Sequence, residues 1–437
     1  MRDSVVAERL KTPKPKPQAV TDEIRTTVSE ILRAVEHEGD AAVRRYSQRF
    51  DKWSPASFRI SRQEIDEAEA ATDETLKEHI RFAQEQVRNF AGLQRESLKD
   101  FERETMPGVV LGQKSIPVRS VGAYTPGGAY PLIASAIMTL VTPKAAGVPR
   151  VVASAPPRKG QGMHPPQLFA MASSGADEIF CIGGVQALAA LAFGIEDLEP
   201  VDMLVGAGNA YVAEAKRQLF GQTGIDLLAG PTEILIIADD SADPEIVAAD
   251  LLGQAEHGPT SPAALVTTSR ELAETTAREV DRWLETWPTA DIAGPAWRDY
   301  GSITVCDSDE EMVREADAFA PEHLEVQTRD PDWFLERLSN YGTLFLGRHA
   351  TVVYSDKSIG TNHVLPTAGA ARYTGGLWVG KFLKTVTYQR VAAEGSRRVA
   401  PAADAISEAE HMQGHAITAR LRLDPRRFDD VPGEGPE

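Results

Sequence analysis

A chain of 437 residues, 42% of them hydrophobic and 25% charged, has ample apolar material for a buried core and is expected to fold as about two to four soluble domains. Its 46 basic and 64 acidic residues leave a formal net charge of −18, which argues against nucleic acid or an anionic membrane as main partner. A local basic pocket stays compatible with that charge, and an acidic surface also suits a high-salt cytoplasm. No run of about 18 apolar residues predicts a membrane span, and no apolar leader is visible at the N-terminus. Cys181 and Cys306 stand singly in apolar runs, so neither a disulfide framework nor a CxxC metal pair is expected; a cytoplasmic setting with inert thiols is.

In chain order, residues 1–20 read as an extended arm, with Pro13, Pro15 and Pro17 alternating with lysines. Helical periodicity and dense charge mark 21–38 and 62–97. From about residue 115 short β-branched runs alternate with helical ones. Strands are predicted at 114–124, 150–157, 178–184 and 201–208, with helices at 133–147, 165–175, 185–194 and 210–221 between and after them. The alternation resumes with strands at 234–240, 263–269, 303–308, 323–328 and 343–348 and helices at 244–258 and 269–287. This is the pattern of an α/β protein with largely parallel sheets, in two successive units. After about residue 375 a helical segment is expected, ending in a polar tail.

Several patterns along this frame are chemically suggestive. Gln254 and His257 lie three apart at a helix end, so an amide oxygen and an imidazole face the same way, half of a plausible zinc site. Glu322 and His323 follow Pro321 and lead a strand. Adjacent strand residues point to opposite faces, so this pair can share a pocket only at the strand's irregular start, where it would suit general acid–base work. Asp356 to His363 places an acid, a glycine turn and an Asn-His pair in a loop, and Glu410, His411 and His415 lie near a helix end. Taken alone, each is more often a surface pair, a helix stop or an exposed helical face. Three glycine-rich turns follow strands and precede helices: Tyr124-Thr-Pro-Gly127-Gly128, Gly183-Gly184-Val-Gln186 and Gly206-Ala-Gly208-Asn209. Backbone N–H groups in such turns can meet a phosphate, although none is a GxGxxG fingerprint.

Together, VGAYTPGG, GGVQALAALAFG, GNAYVAEAKRQ, GPTEILIIAD, QAEHG, APEHL and GTNHVLPT, in that order, resemble the histidinol dehydrogenase family from about Val28 to Arg420. The resemblance implies a zinc- and NAD-dependent enzyme that oxidises a primary alcohol through an aldehyde to a carboxylate. It implies Gln254, His257, Asp356 and His415 as zinc ligands, Glu322 and His323 as the catalytic acid–base pair, and Tyr124, Gln186 and Asn209 as NAD contacts. Thr232, His363 and Glu410 would bind substrate alongside the metal-ligand positions. The implied fold has two Rossmann-like parallel-sheet units, one inserted in the other, plus helical N- and C-terminal segments. An NAD-binding part at 119–232 would interrupt a metal and catalytic part at 21–118 and 233–375. The segment 376–437 would dimerise, placing Glu410 and His415 in the site of the second copy of a homodimer.

Some positions depart from the histidine-biosynthetic members. Thr232 replaces a serine, Ala129-Tyr130-Pro131 replaces small residues after the glycines, and Lys357 replaces an aromatic after Asp356. Arg372, Lys381 and Lys384 add further cations. These features resemble the branch that oxidises sulfopropanediol to sulfolactate. A cation beside the metal opposes the ammonium of histidinol and favours a sulfonate. The favoured expectation is therefore the sulfonated diol, with oxidation of L-histidinol to L-histidine as the alternative and a zinc-binding homologue without catalysis as a remote one.

Overall fold

The computed structural model describes residues 7–15, 20–127, 130–195 and 197–424. Half of the N-terminal arm (1–6 and 16–19), Gly128 and Ala129 of the first glycine-rich turn, Glu196 and the tail from 425 lie outside the described residues. The strands are β1 (Glu8–Lys11), β2 (Phe101–Met106), β3 (Val109–Pro117), β4 (Ser120–Tyr124), β5 (Arg150–Ala155), β6 (Glu178–Cys181), β7 (Met203–Val205), β8 (Gly224–Ile225), β9 (Ile234–Ala238), β10 (Ala263–Thr267), β11 (Gly301–Val305), β12 (His323–Gln327), β13 (Thr343–Leu346) and β14 (Leu383–Val391). The α-helices are α1 (Asp22–Glu38), α2 (Asp40–Asp51), α3 (Arg62–Ala71), α4 (Glu74–Ser97), α5 (Ile133–Ala146), α6 (Pro165–Ser173), α7 (Gly184–Phe193), α8 (Ala210–Leu219), α9 (Pro244–Ala255), α10 (Arg270–Leu284), α11 (Ala290–Tyr300), α12 (Asp309–Phe319), α13 (Pro331–Leu335), α14 (Val352–Lys357), α15 (Ala393–Ala409) and α16 (Gln413–Leu421).

Local chemistry sets many of these boundaries. Thr21 caps α1 by accepting from the Ile24 N–H, and Val28, Ile31, Leu32 and Val35 then form its buried stripe. Ser61 and Glu64 make a reciprocal capping box that starts α3. Asp243 caps α9, and Pro244 occupies the first helical position, where no N–H is needed. The stretch expected as one helix at 62–97 divides because Thr72 is extended and Asp73 accepts the Leu76 N–H. Helices α2 and α11 were not expected: α2 buries only Ala42, Val43 and Ser47, and α11 carries Gly294-Pro295, a pair that argues against a helix.

Two compact units emerge from the contacts. The larger comprises residues 1–95 and 118–382, the smaller 96–117 and 383–437. The larger unit holds two mainly parallel sheets. One has the order β1-β11-β10-β9-β12-β13, with β1 antiparallel at its edge; the other has the order β6-β5-β4-β7-β8. Strands β4, β9 and β12 are buried along their whole length, as expected of parallel strands covered on both faces. Leaving β1 aside, each sheet starts with its central strand, adds two strands on one side and then two on the other. The winding reverses between β4 and β7 in one sheet and between β9 and β12 in the other. The strands of the five-stranded sheet fall, in chain order, between β1 and β9.

The smaller unit contains an antiparallel sheet ordered β14-β3-β2 and the pair α15 and α16. This corrects the expected helical segment at 376–437: residues 383–391 are a strand paired with β3 from Leu383 opposite Pro117 to Val391 opposite Val109. That pairing also draws residues 96–117 away from the catalytic part to which the sequence reading assigned them. The stretch expected as one strand at 114–124 is two, with Pro117, which lacks an N–H, ending the first. Among the described residues no helix is long and apolar enough to cross a membrane.

Candidate active site

The amino ends of β9 and β12 gather Thr232 with Glu322 and His323, the pair expected to act as acid and base. Helix α9 runs back from the carboxyl edge of the sheet, so its last turn returns Gln254 to the amino edge, and His257, expected on the same helix, lies in the turn just beyond its end. Glu322 sits in the turn before β12, and His323 is its first residue. Both are nearly inaccessible, 5% and 2% exposed. The His323 Nδ1 atom is 3.6 Å from Glu322 Oε2 and 3.0 Å from the Glu233 carbonyl oxygen. Donation of Nδ1–H to that carbonyl fixes the tautomer and leaves Nε2 as the lone-pair atom, buried and without a hydrogen-bond partner. Burial lowers the His323 pKa to about 4, against the pull of Asp356, so the ring is neutral near neutral pH.

Glu322 Oε2 accepts from the Glu233 N–H at 3.0 Å and from the Thr232 hydroxyl, which in turn accepts from Gln254 Nε2. Burial pushes the Glu322 carboxyl well above the ordinary value, and the Thr232 and Glu233 donors oppose that shift only in part. Its backbone is equally confined. A Cβ on Gly342 would lie 2.5 Å from the Glu322 carbonyl oxygen, which accepts the Thr343 N–H. Sequence reasoning missed Gly342 because no turn pattern surrounds it. Thr232 uses its hydroxyl in this chain of bonds, the group that its replacement of serine retains.

Asp356, expected in a loop, is the penultimate residue of α14, next to the same cluster. Its Oδ1 is 3.9 Å from His323 Nε2 and its Oδ2 is 3.9 Å from Lys357 Nζ. His363 is held at both nitrogens, by the Asp356 carbonyl at Nδ1 and the Ser135 hydroxyl at Nε2, each at 3.1 Å. Desolvation lowers the proton affinity of His257 and His363; Asp356 opposes the shift and the Lys357 ammonium adds to it. Lys357 therefore reaches back toward the cluster, although half of its side chain meets solvent. Arg372 is exposed beside Gly369, Lys381 donates to Thr374, and Lys384 is exposed on β14 of the smaller unit.

Among the described residues no three His, Cys, Asp or Glu side chains stand in metal-binding geometry. Even so, the donor chemistry in the larger unit fits a metal that prefers nitrogen and oxygen: the neutral imidazole of His257, the buried carboxylate of Asp356 and the amide of Gln254, whose Nε2 is committed to Thr232. His415 lies on α16 and Glu410 follows α15, both exposed on the smaller unit.

A second candidate region, where the NAD contacts were expected, lies near the carboxyl ends of β4 and β7, where the winding of the five-stranded sheet reverses and where such sheets commonly bind ligands. The two loops touch: Gly206, with φ +114°, stands so close that a Cβ would lie 2.1 Å from the Tyr124 carbonyl oxygen. Asn209 caps α8 with Oδ1 accepting from Tyr211 and Val212, and it remains exposed at this edge. Tyr124 is buried; its hydroxyl accepts from the Gly184 N–H at 3.1 Å and burial pushes its pKa to about 12. Gln186 is buried too and donates to Asp51. The sequence reading missed Asp51, which closes an apparently ordinary charged helix, and the buried ion pair of Lys216 with Asp226. Lys216 bonds the Gly206 carbonyl and Asp226 accepts the Gly206 N–H, so the pair holds both backbone polar atoms of that glycine.

Comparison with known proteins is consistent with this arrangement. The family model described as histidinol dehydrogenase matches residues 14–423. A histidinol dehydrogenase homolog of Shouchella clausii is 55% identical over 400 residues, covering 92% of this chain and 94% of that protein. The sulfopropanediol 3-dehydrogenase of Ruegeria pomeroyi is 50% identical over 403 residues, covering 92% of each. The crystal structure of histidinol dehydrogenase from Elizabethkingia anophelis superposes with a TM-score of 0.90 at 32% identity, over 95% of each chain. A match over nearly the whole length, in both sequence and fold, makes this chain a member of the histidinol dehydrogenase family of dehydrogenases.

Proposed function

We propose that this enzyme is a zinc- and NAD-dependent dehydrogenase that oxidises a sulfonated diol, sulfopropanediol, through its aldehyde to sulfolactate. The observation that carries the substrate reading is the Lys357 ammonium, 3.9 Å from Asp356 Oδ2 and close enough to His257 and His363 to depress both. A cation there repels an ammonium-bearing alcohol and attracts a sulfonate. The 50% identity to a protein named sulfopropanediol 3-dehydrogenase supports the same choice.

Gln254, His257 and Asp356 would hold the metal, and the crevice between Tyr124 and Asn209, with its Rossmann-like winding, would take the dinucleotide. The chemistry supplied by bound zinc and NAD is polarisation of the alcohol oxygen and acceptance of hydride. His323 receives the alcohol proton at Nε2, the ring atom its bond to Glu233 leaves open. Glu322 takes a proton from the water whose oxygen adds to the aldehyde carbon, giving the hydrate that is oxidised in the second half. A carboxyl pKa raised by burial suits a base of this kind. We further propose a homodimer in which Glu410 and His415 of one copy complete the substrate and metal sets of the other.

NAD reduction followed with sulfopropanediol and L-histidinol side by side tests this. Two NADH per sulfopropanediol, with sulfolactate as product and little turnover of L-histidinol, is expected. Efficient turnover of L-histidinol with none of the sulfonate would overturn the substrate assignment, and no NAD reduction with either would overturn the enzyme reading.

A further inference from the structure

Behind the acid–base cluster lies a second pair of acids that the mechanism does not use. Glu325, 1% exposed in the middle of β12, is bridged to Asp250 of α9 by the side chain of Gln327. Gln327 Nε2 donates to both carboxyls, at 3.2 Å to Asp250 and 3.1 Å to Glu325. The Thr351 hydroxyl donates to Asp250 at 3.1 Å, and the Val352 N–H, otherwise unpaired at the start of α14, donates to Glu325 at 3.2 Å. Burial raises both carboxyls, Glu325 well above its ordinary value, which matches a proton held between them.

Position gives this network its meaning. Each of its anchors lies one structural repeat from a residue of the candidate site. Asp250 and Gln254 are four apart on α9, Val352 and Asp356 four apart on α14, and Glu325 and His323 two apart on β12. Residues at those spacings share a face. Thus one set of side chains fixes the axial position of two helices against one strand, immediately behind the three residues those elements present. Thr351 spends its hydroxyl on Asp250 instead of capping its own helix.

We propose that the bridged pair Asp250–Glu325 is a positioning device that sets Gln254 and Asp356 relative to His323. Its effect on metal affinity rests on the zinc reading above; its effect on the register of α9 and α14 does not. Glu325→Gln keeps an N–H for Asp250 and an oxygen for Val352, and Gln327 Oε1, buried without a partner, can accept the extra N–H if its amide turns. Glu325→Leu and Asp250→Leu keep the bulk and remove the bonds.

The test is hydrogen–deuterium exchange on the full-length leucine and glutamine variants, with zinc affinity measured by competition against a chromophoric chelator. Exchange at 252–257 and 352–357 should rise at least about tenfold in the leucine variants, remain unchanged at 124–127 and 206–209, and return to wild-type values in Glu325→Gln. Zinc should bind the leucine variants about 10 to 100 times more weakly, as when groups supporting metal ligands are lost. Wild-type exchange in both leucine variants, or equal acceleration in all segments that Glu325→Gln fails to reverse, would overturn the proposal. Failure of the wild-type protein to bind zinc would count against the metal reading alone, since the exchange pattern still decides the positioning role.

Discussion

The Ser135 hydroxyl lies 3.1 Å from His363 Nε2, across 228 residues of sequence. Ser135 belongs to the first turn of α5, the helix that leaves the carboxyl end of β4; His363 bonds the backbone of Asp356 through its other nitrogen. This contact joins the crevice of the five-stranded sheet to the acid–base cluster of the six-stranded one. Ser135→Ala should remove one hydrogen bond, about 1 kcal/mol, and lower kcat/KM about fivefold by loosening His363. Steady-state kinetics identical to wild type would show that the joint does not influence turnover.

Metal removal should abolish activity. Chelation of the purified enzyme is expected to stop NAD reduction and added zinc to restore it, because Gln254, His257 and Asp356 offer nitrogen and oxygen donors. His257→Ala should weaken zinc binding at least about tenfold. Full turnover by protein shown by elemental analysis to lack metal would contradict the assignment.

The two halves of the reaction should differ in their response to pH. With a pKa of about 4, His323 is already neutral at pH 6, so the alcohol step should not lose its base until the pH approaches 4. Glu322, raised by burial, still holds its proton where ordinary carboxyls have lost theirs, so the aldehyde step should rise with pH over a higher range. Glu322→Gln should erase that rise and slow aldehyde oxidation more than alcohol oxidation. For stability the sign is set by the unfolded chain, where histidine titrates near about 6.5. Between that value and about 4 the unfolded state binds the extra proton, so His323 lowers stability progressively as pH falls through this window. Thermal melts of wild type and His323→Gln from pH 7 to 4 should converge at the acid end.

Lys357→Gln should raise KM for sulfopropanediol about tenfold, the loss expected for one charge-assisted hydrogen bond. An uncharged alcohol analogue should react at nearly the wild-type rate. Equal effects on both substrates would mean that Lys357 acts on the metal site, through Asp356, and not on the sulfonate.

If Glu410 and His415 act in the other copy of a homodimer, inactive His415→Ala mixed with inactive His323→Ala should regain activity. Statistical exchange of subunits leaves some hybrids with one intact site. No recovery after exchange is verified by mass spectrometry would argue that each chain completes its own site.

Much of the α/β frame was legible because parallel strands covered on both faces read as short unbroken apolar runs, such as Ile234 to Ala238. Strand β14 was not. Its TVTYQRV alternation is broken by charge and runs into a long stretch of helical composition, and its partner β3 is far away in sequence. Within the site, motifs marked Glu322, His323, Gln254 and His257, but not what holds them. The Glu233 carbonyl, Gly342 and Ser135 act through backbone geometry or distant pairing, and a linear pattern carries neither. The Asp250–Gln327–Glu325 bridge escaped for a similar reason: along α9 and β12 each acid looks like an ordinary charged position.

The identical winding of the two sheets bears on how such a chain can change its diet. One sheet offers its carboxyl edge, at 124–127 and 206–209; the other offers its amino edge, at 232, 254–257 and 322–323, together with the 351–368 connection. Lys357, in α14 of that connection, therefore lies on a segment that the opposite edge does not share, and under the proposed reading a substitution there retunes the alcohol. A lineage could exchange one nutrient for another while the remaining crevice stays untouched, and libraries confined to the amino-edge segments are the economical place to look for new substrates.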